Sequence, residues 1–411
     1  MDAVQRQYEA YPYPERDPSK EAETLLIGSP SHPLEIDHFL FGGKRDWTQP
    51  FRALVAGGGT GDGLVMLAQV LADWGAEAEI HYLDMSEASR RIAEARIAAR
   101  GIEGVTFHTG DLMSAPERGP FDYIDCCGVL HHLPDPVAGA KALREALGPD
   151  GGIGGMVYAP YGREGVYPMQ GVLRALVGGE EPEAQVALAK KLVHQLPPTN
   201  GLARNPFVND HVAGGDAGLY DLLLHGRDRA YDVPGLHGLL EEAGLSLVSF
   251  ASPGRYDPRP LIVDPEIRER AMALPEPERQ ALSERLAGNL KTHFFYAVPT
   301  GSQSDRIAEI APDAVPNLLG VTANRLAEAI WKDGSFKASF DGLTIQRRLP
   351  KEAAGIVTAI DGKRSLAEIS QKLGWKGEQF LAVFRSLYHP LNNFNLLRFS
   401  ARKTLRSGGT G

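Results

Sequence analysis

From Phe51 onward, short apolar runs alternate with amphipathic stretches, the pattern of strands joined by crossover helices in a parallel sheet. RALVA (Arg52 to Ala56) predicts a first strand, EIHYLD (Glu79 to Asp84) a second, VTFHTG (Val105 to Gly110) a third, FDYIDCCG (Phe121 to Gly128) a fourth and GGIGGMVYAP (Gly151 to Pro160) a fifth. GLVMLAQVLADWG and SEASRRIAEARIAARG lie between them with helical periodicity, and Gly75 and Gly101 are suited to end those helices. The alternation breaks over about residues 161–230, where helical patterns such as EAQVALAKKLVHQL suggest an insertion. It resumes with VPGLHGLLEEAGL as a surface helix and LSLVSFASP as a sixth strand. A second helical stretch at about 258–290 precedes KTHFFYAVP, which predicts a seventh strand.

The chain therefore divides into an N-terminal segment (1–50), an α/β domain (51–300) with its two helical insertions, and a small C-terminal unit (301–411). In the last, FDGLTIQRRL is strand-like while SLAEISQKLG and GEQFLAVFRSLYHPLNNFN are helical, so an α-rich or winged-helix-like domain with a flexible RSGGTG tail is expected. Its 411 residues, 43% hydrophobic and 23% charged, can bury a real core. A net charge of −9 makes a nucleic-acid partner unlikely on electrostatic grounds. Cys126 and Cys127 are adjacent, giving neither a long-range disulfide nor a zinc spacing, which fits a reducing, cytoplasmic setting. Neither a signal peptide nor a membrane span is expected, since no apolar run approaches about 18 residues.

The most informative segment is AGGGTGDG, Ala56 to Gly63, directly after one predicted strand and opening a helix. Glycines at 57, 59 and 61 permit a sharp turn and close approach to a ligand, while free N–H groups at the helix start favour negative charge. Asp84 ends the second strand in YLDMS, where a carboxylate can accept both hydroxyl protons of a ribose, although it or Ser86 can equally cap the next helix. Asp111 and Leu112, in HTGDLM, can hydrogen-bond and sandwich an adenine. A nicotinamide dehydrogenase is disfavoured because Asp62 stands where its fingerprint needs a small residue.

In order, LVAGGGTGDG, YLDMS, TGDLM, FDYIDCCGVLHHLPDP and LREALGPDGGIGGMVY resemble the motifs of the class I S-adenosylmethionine (SAM)-dependent methyltransferases. The opening QYEAYPYPERDP, together with GLYDLLLHGRDRAYDVPGL and KTHFFYAVP, is similar to an uncharacterised bacterial subgroup, some of whose members are fused to tetratricopeptide repeats. The resemblance implies a Rossmann-like seven-stranded sheet and the cofactor SAM, released as S-adenosylhomocysteine (SAH). The cofactor-binding candidates are Tyr8, Tyr13, Ala56, Gly57, Gly58, Gly59, Gly61, Asp84, Met85, Gly110, Asp111, Leu112, Cys126 and Cys127. Tyr8 and Tyr13 lie in YEAYPYP, whose prolines favour an extended segment able to fold over the cofactor. Where the family often has an acid before the first glycine this chain has Val55, so the SAM ammonium needs another partner. Backbone carbonyls around Ala56 and at Cys126 or Cys127, or a tyrosine hydroxyl, are candidates.

Methyl transfer is an in-line displacement, and a base is needed only if the acceptor must lose a proton. Catalytic candidates after the fourth strand are His131, His132 and Cys127; either histidine can be a base or can simply pack locally, and the cysteines suit wall positions better than nucleophilic ones. Substrate candidates are Tyr158, Tyr161, Arg163, Asp210, His211 and Arg227; Asp221 is a further partner for a cationic acceptor, and surface ion pairing explains any of these charges as well. No metal is expected. The acceptor is a protein side chain or a small metabolite, with RNA last, and a homodimer is compatible with these features. The alternative is a SAM-binding interaction protein without catalysis.

Overall fold

In a computed structural model of the chain, residues 3–177 and 179–401 are described; the RSGGTG tail lies outside them. The seven strands are β1 (Phe51–Ala56), β2 (Ala78–Asp84), β3 (Val105–Thr109), β4 (Phe121–Cys127), β5 (Leu147–Tyr158), β6 (Leu245–Phe250) and β7 (Thr292–Pro299). They form one sheet in the order β3-β2-β1-β4-β5-β7-β6, with β7 antiparallel to both of its neighbours.

Both faces of this sheet are covered, which is why its strands read as nearly continuous apolar runs. Leu54, Ala56, Ile124 and Cys126 enter the core on one face, whereas Ala53, Val55, Tyr82 and Tyr123 enter the core on the other. α1 (Ala3–Ala10), α2 (Pro33–Leu40), α3 (Asp62–Trp74), α4 (Glu87–Ala99) and α5 (Pro136–Glu145) lie in the first part of the chain, and α6 (Val166–Leu176) and α7 (Pro182–Val193) begin the insertion. Gly75 ends α3 at φ 68°, while α4 stops on Arg100, one residue before Gly101.

Two local expectations are corrected, and the second insertion, helical as expected, is subdivided. Tyr8 belongs to helix α1, and the extended path begins only beyond Ala10, where Pro12 and Pro14 cannot continue a helix. The second insertion is two helices, Pro265–Met272 and Glu276–Ala287, because Pro275 separates them. β5 starts four residues early, at Leu147 rather than Gly151, its first residue pairing with Phe121 before the register shifts.

The C-terminal stretch is α-rich around a core of its own, with a hairpin of Ser335–Phe340 and Leu343–Arg348. It docks on α2, all eight residues of which are buried. The α2 polar groups are satisfied from that side: Ser400 donates to Asp37 at 2.5 Å, Phe399 N–H to His38 Nδ1 at 3.1 Å, and Asn395 to Glu35 at 2.6 Å. No helix among the described residues is long and apolar enough to cross a membrane.

Candidate functional site

The turn after β1 is shaped by backbone that only glycine tolerates. Gly57, Gly59 and Gly61 have φ of 70°, 52° and 98°. A Cβ on Gly57 would stand 2.3 Å from Val129 Cγ2, and one on Gly58 2.4 Å from the Tyr82 ring. Gly61 is the N-cap of α3 and provides no side-chain cap, so the helix start retains amide donors. Asp62 turns away from this turn to pair with Arg16 at 2.6 Å and Arg96 at 2.7 Å.

Asp84, at the carboxyl end of the neighbouring β2, accepts from Gly59 N–H and Ser86 N–H, both at 2.8 Å. Burial raises its carboxyl above the usual range, and those two amides pull it back. Ser86, not Asp84, caps α4. Gly110 N–H binds the Asp84 carbonyl at 2.9 Å, bringing the adjoining Asp111 and buried Leu112 to the same edge. Asp111 caps the short helix that follows, accepting from Met113 N–H at 2.9 Å. Cys126 is in the core, with Cys127 half-buried beside it, and both thiols are free. Burial holds both upward, opposing thiolate formation.

The N-terminal segment crosses this edge. Tyr13 carbonyl oxygen lies 2.8 Å from the Cβ position of Gly59, and Thr60 donates to the Pro14 carbonyl at 2.6 Å. Gln5 donates to the Met85 carbonyl at 3.0 Å. Tyr8 reaches both ways: its carbonyl accepts from Ser86 Oγ at 3.1 Å, and its hydroxyl donates to Asp221 Oδ1 at 3.0 Å.

Asp221 belongs to the π-helical turn Tyr220–Leu224 of the insertion and is 4% exposed. Tyr158, from the end of β5, donates to its other oxygen at 3.1 Å. Burial raises the Asp221 carboxyl, while His132 and the two phenols oppose the shift. The His132 and His225 rings stack with centroids 3.7 Å apart. His132 Nδ1 meets the Arg227 carbonyl at 2.8 Å and must donate to it, so in the neutral ring Nε2 carries the lone pair. His225 Nδ1 instead accepts from Arg227 N–H at 3.0 Å, which puts its proton on Nε2. His132, Asp221 and His225 offer atoms within 4.8 Å of one another, a spacing that a cation can bridge. The proton fixed on His225 Nε2 opposes that use.

His131 is fully buried against Tyr158, with neither ring nitrogen hydrogen-bonded, and burial holds it neutral. Arg163 lies 3.6 Å from the Tyr158 ring centroid and pairs with buried Asp228 at 2.9 Å, so its charge is already matched. Tyr161 is outside the cluster, 36% exposed, with its hydroxyl accepting from Arg285. Asp210 is exposed on a short helix with His211 half-buried beside it, while Arg227 joins the cluster through its backbone. His225 and Asp228 escaped sequence reasoning; the only signal was the spacing of polar residues in YDLLLHGRD. Two open clefts, of about 460 and 710 Å³, lie at the amino ends of the strands and include neither histidine nor tyrosine, so the titratable cluster outweighs them as the site.

The chain is similar in sequence to known methyltransferases. A methyltransferase-domain family, Methyltransf_12, matches residues 54–153. An uncharacterised protein of Synechococcus sp. is 30% identical over 300 residues, 72% of this chain and 70% of its own. A demethylmenaquinone methyltransferase of Geobacillus kaustophilus is 32% identical over 101 residues, 24% of this chain and 42% of its own. The structure of PKMT2 from Rickettsia typhi has the same fold at 16% identity, with a TM-score of 0.58 over 91% of this chain and 76% of its own. PKMT2 in complex with AdoHcy gives the same TM-score at 13% identity, covering 90% of this chain and 75% of its own.

Proposed function

Because the chain belongs to the class I SAM-dependent methyltransferase family, we propose that it methylates an amine, carried by a protein side chain or a small metabolite, at the Asp221 and His132 cluster. The edge of the sheet suits the cofactor: positive φ at Gly57 and Gly59 turns the backbone sharply there, the α3 start offers amides, and Asp84 offers a carboxylate. Ala56, Gly58, Gly61, Met85, Gly110, Asp111, Leu112 and the Cys126–Cys127 end of β4 frame the same edge. SAM, when bound, supplies a methyl group on a sulfonium.

The observation that carries the amine reading is a buried carboxylate, Asp221, whose hydrogen bonds come from the neutral hydroxyls of Tyr8 and Tyr158. Neutral donors leave its negative charge to attract an ammonium. One residue, Tyr8, touches both regions, its backbone carbonyl at Ser86 beside the Asp84 edge and its hydroxyl at this carboxylate, so the two halves of the reaction are neighbours. An ammonium cannot attack until it has lost a proton. His132, oriented by the Arg227 carbonyl, presents Nε2 to take it. We assign this role to His132 over His131, which packs against Tyr158, and assign Cys127 to the wall. Tyr158 and Tyr8 position Asp221, while Arg163 stiffens Tyr158 from behind. We assign Tyr13 of the N-terminal segment and Asp210, His211 and Arg227 of the insertion to the approach, and leave out Tyr161, which pairs with Arg285.

The test is to incubate the full chain with methyl-labelled SAM and separated protein and small-molecule fractions of a bacterial lysate. Label that survives mild base and is lost with Asp221→Asn is expected. Base-labile label would identify a carboxylate acceptor instead, and SAM uptake without transfer would identify a non-catalytic binder.

A further inference from the structure

Val55 creates a chemical problem that the fold answers on the adjoining strand. β1 and β4 run parallel, and their register pairs Val55 with Asp125. Paired residues in a ladder stand about 4.8 Å apart with side chains on the same face. The carboxylate absent from β1 is therefore present one strand over, at the same height along the sheet. Val55 stands beside it across the ladder and Tyr123 two residues before it on the same strand, and its side-chain hydrogen bond is with the Ser31 hydroxyl.

Asp125 is 2% exposed, and its Oδ1 has no hydrogen-bond partner. A buried, half-satisfied carboxylate is unfavourable when ionised unless something compensates it. Its other oxygen is 2.6 Å from the Cβ position of Gly63, the second residue of α3, with Ser31 Oγ 3.8 Å from that same position. Glycine inside a helix is less favourable than alanine, and a side chain at 63 would displace this carboxylate. The chain thus gives up helix propensity in the first turn of a helix whose start has no side-chain cap, and the space holds an acid.

We propose that Asp125 replaces, from β4, the acid missing at Val55 and holds the α-ammonium group of the SAM methionyl tail. Its unpartnered oxygen beneath the start of α3 and the side-chain-free Gly63 are the two observations that point to a cationic ligand there. The inference rests on the methyltransferase reading and adds to it the residue that recognises an amino acid rather than a bare nucleoside. The carbonyls around Ala56 and the tyrosine hydroxyls then need supply no charge.

Calorimetry on the full chain with two ligands, SAH and its analogue lacking only the amino group, separates the possibilities. Wild type should bind SAH at least tenfold more tightly than the analogue. Asp125→Asn should erase most of that preference, weakening SAH about tenfold while leaving the analogue within about threefold. The double variant Val55→Asp with Asp125→Val returns the acid to β1 and should restore the preference; it also carries the test if Asp125→Asn fails to fold. Equal weakening of both ligands, or an unchanged preference in Asp125→Asn, overturns the assignment. Wild type that binds neither ligand overturns the cofactor reading itself.

Discussion

Replacing Tyr8 by phenylalanine removes one oxygen from the cluster and keeps the ring; of the two contacts this breaks, the longer one to His225 Nε2 at 3.4 Å is common to every background, so the pH-dependent part of the effect can be worked out from the bond to Asp221. The lost hydroxyl donates to Asp221 Oδ1 at 3.0 Å, leaving Tyr158 at 3.1 Å on the other oxygen. A bond to the protonated acid contributes about 0.5–1.5 kcal/mol, and a bond to the carboxylate about 1.5–3 kcal/mol. The Asp221 carboxyl already lies above its ordinary value through burial, and removing a phenol that lowers it raises it further. For an acid raised in the folded state, stability is complete below the unfolded value near 4 and is lost as pH rises through the folded value. Tyr8→Phe extends that loss upward, so its penalty should be near 1 kcal/mol at about pH 4 and should grow to about 2–3 kcal/mol at about pH 7.5. Urea unfolding of wild type and Tyr8→Phe at both pH values measures it, with the same pair in an Asp221→Asn background as control. The control penalty should not change with pH. A wild-type-background penalty that is flat with pH, or a growth that survives in Asp221→Asn, refutes the reasoning.

Asp84→Ala should weaken SAH binding by about 100-fold, the equivalent of about 3 kcal/mol of charge-assisted hydrogen bonds to a ribose, as read by calorimetry; a change under threefold would remove Asp84 from the site. Gly57→Ala places a Cβ 2.3 Å from Val129 at a φ of 70° and should destabilise the fold by about 2–5 kcal/mol. Adding Val129→Ala should recover the clash but not the backbone strain, and full rescue in a thermal melt would contradict the geometry. A chain ending at residue 301 should lose cooperative unfolding, because Asp37, His38 and Glu35 of α2 lose buried partners at Ser400, Phe399 and Asn395. A soluble, SAH-binding fragment with a sharp transition would contradict that dependence.

The seven strands were legible because a sheet covered on both faces requires apolar residues at nearly every position, as in Phe51–Ala56 and Phe121–Cys127. The glycine turn was legible for a related reason: positive φ and close approach admit one residue type, so composition reports geometry directly. α2 left no comparable trace. PLEIDHFL mixes charges with apolar residues, and its burial depends on partners supplied from residues 395–401. The cluster around Asp221 was legible residue by residue but not as one site. His132, Tyr158, Asp221 and Tyr8 come from four separated segments, and only their convergence distinguishes them from ordinary surface polar residues. Asp125 was hidden differently: a carboxylate within a strand reads as an irregularity until the register places it beside Val55.

The N-terminal segment joins these separately encoded pieces. Arg16 pairs with Asp62 at the start of α3, Tyr13 covers Gly59, and Glu9 accepts from Glu87 N–H and Ala88 N–H at the start of α4. Tyr8 then turns from that edge to Asp221 in the insertion. A helix start prefers an acid to a neutral group, so Glu9 is held where the α4 dipole is positive, and Arg16 balances the acid at α3. These contacts fix the register of a short segment that has little core of its own. The position of this segment is therefore coupled to the placement of Tyr8, and through Tyr8 to the charge of Asp221. Under the proposed function, cofactor and acceptor recognition share one tyrosine, and a change at the Asp84 edge should be felt at Asp221 even though the two carboxylates belong to different parts of the chain.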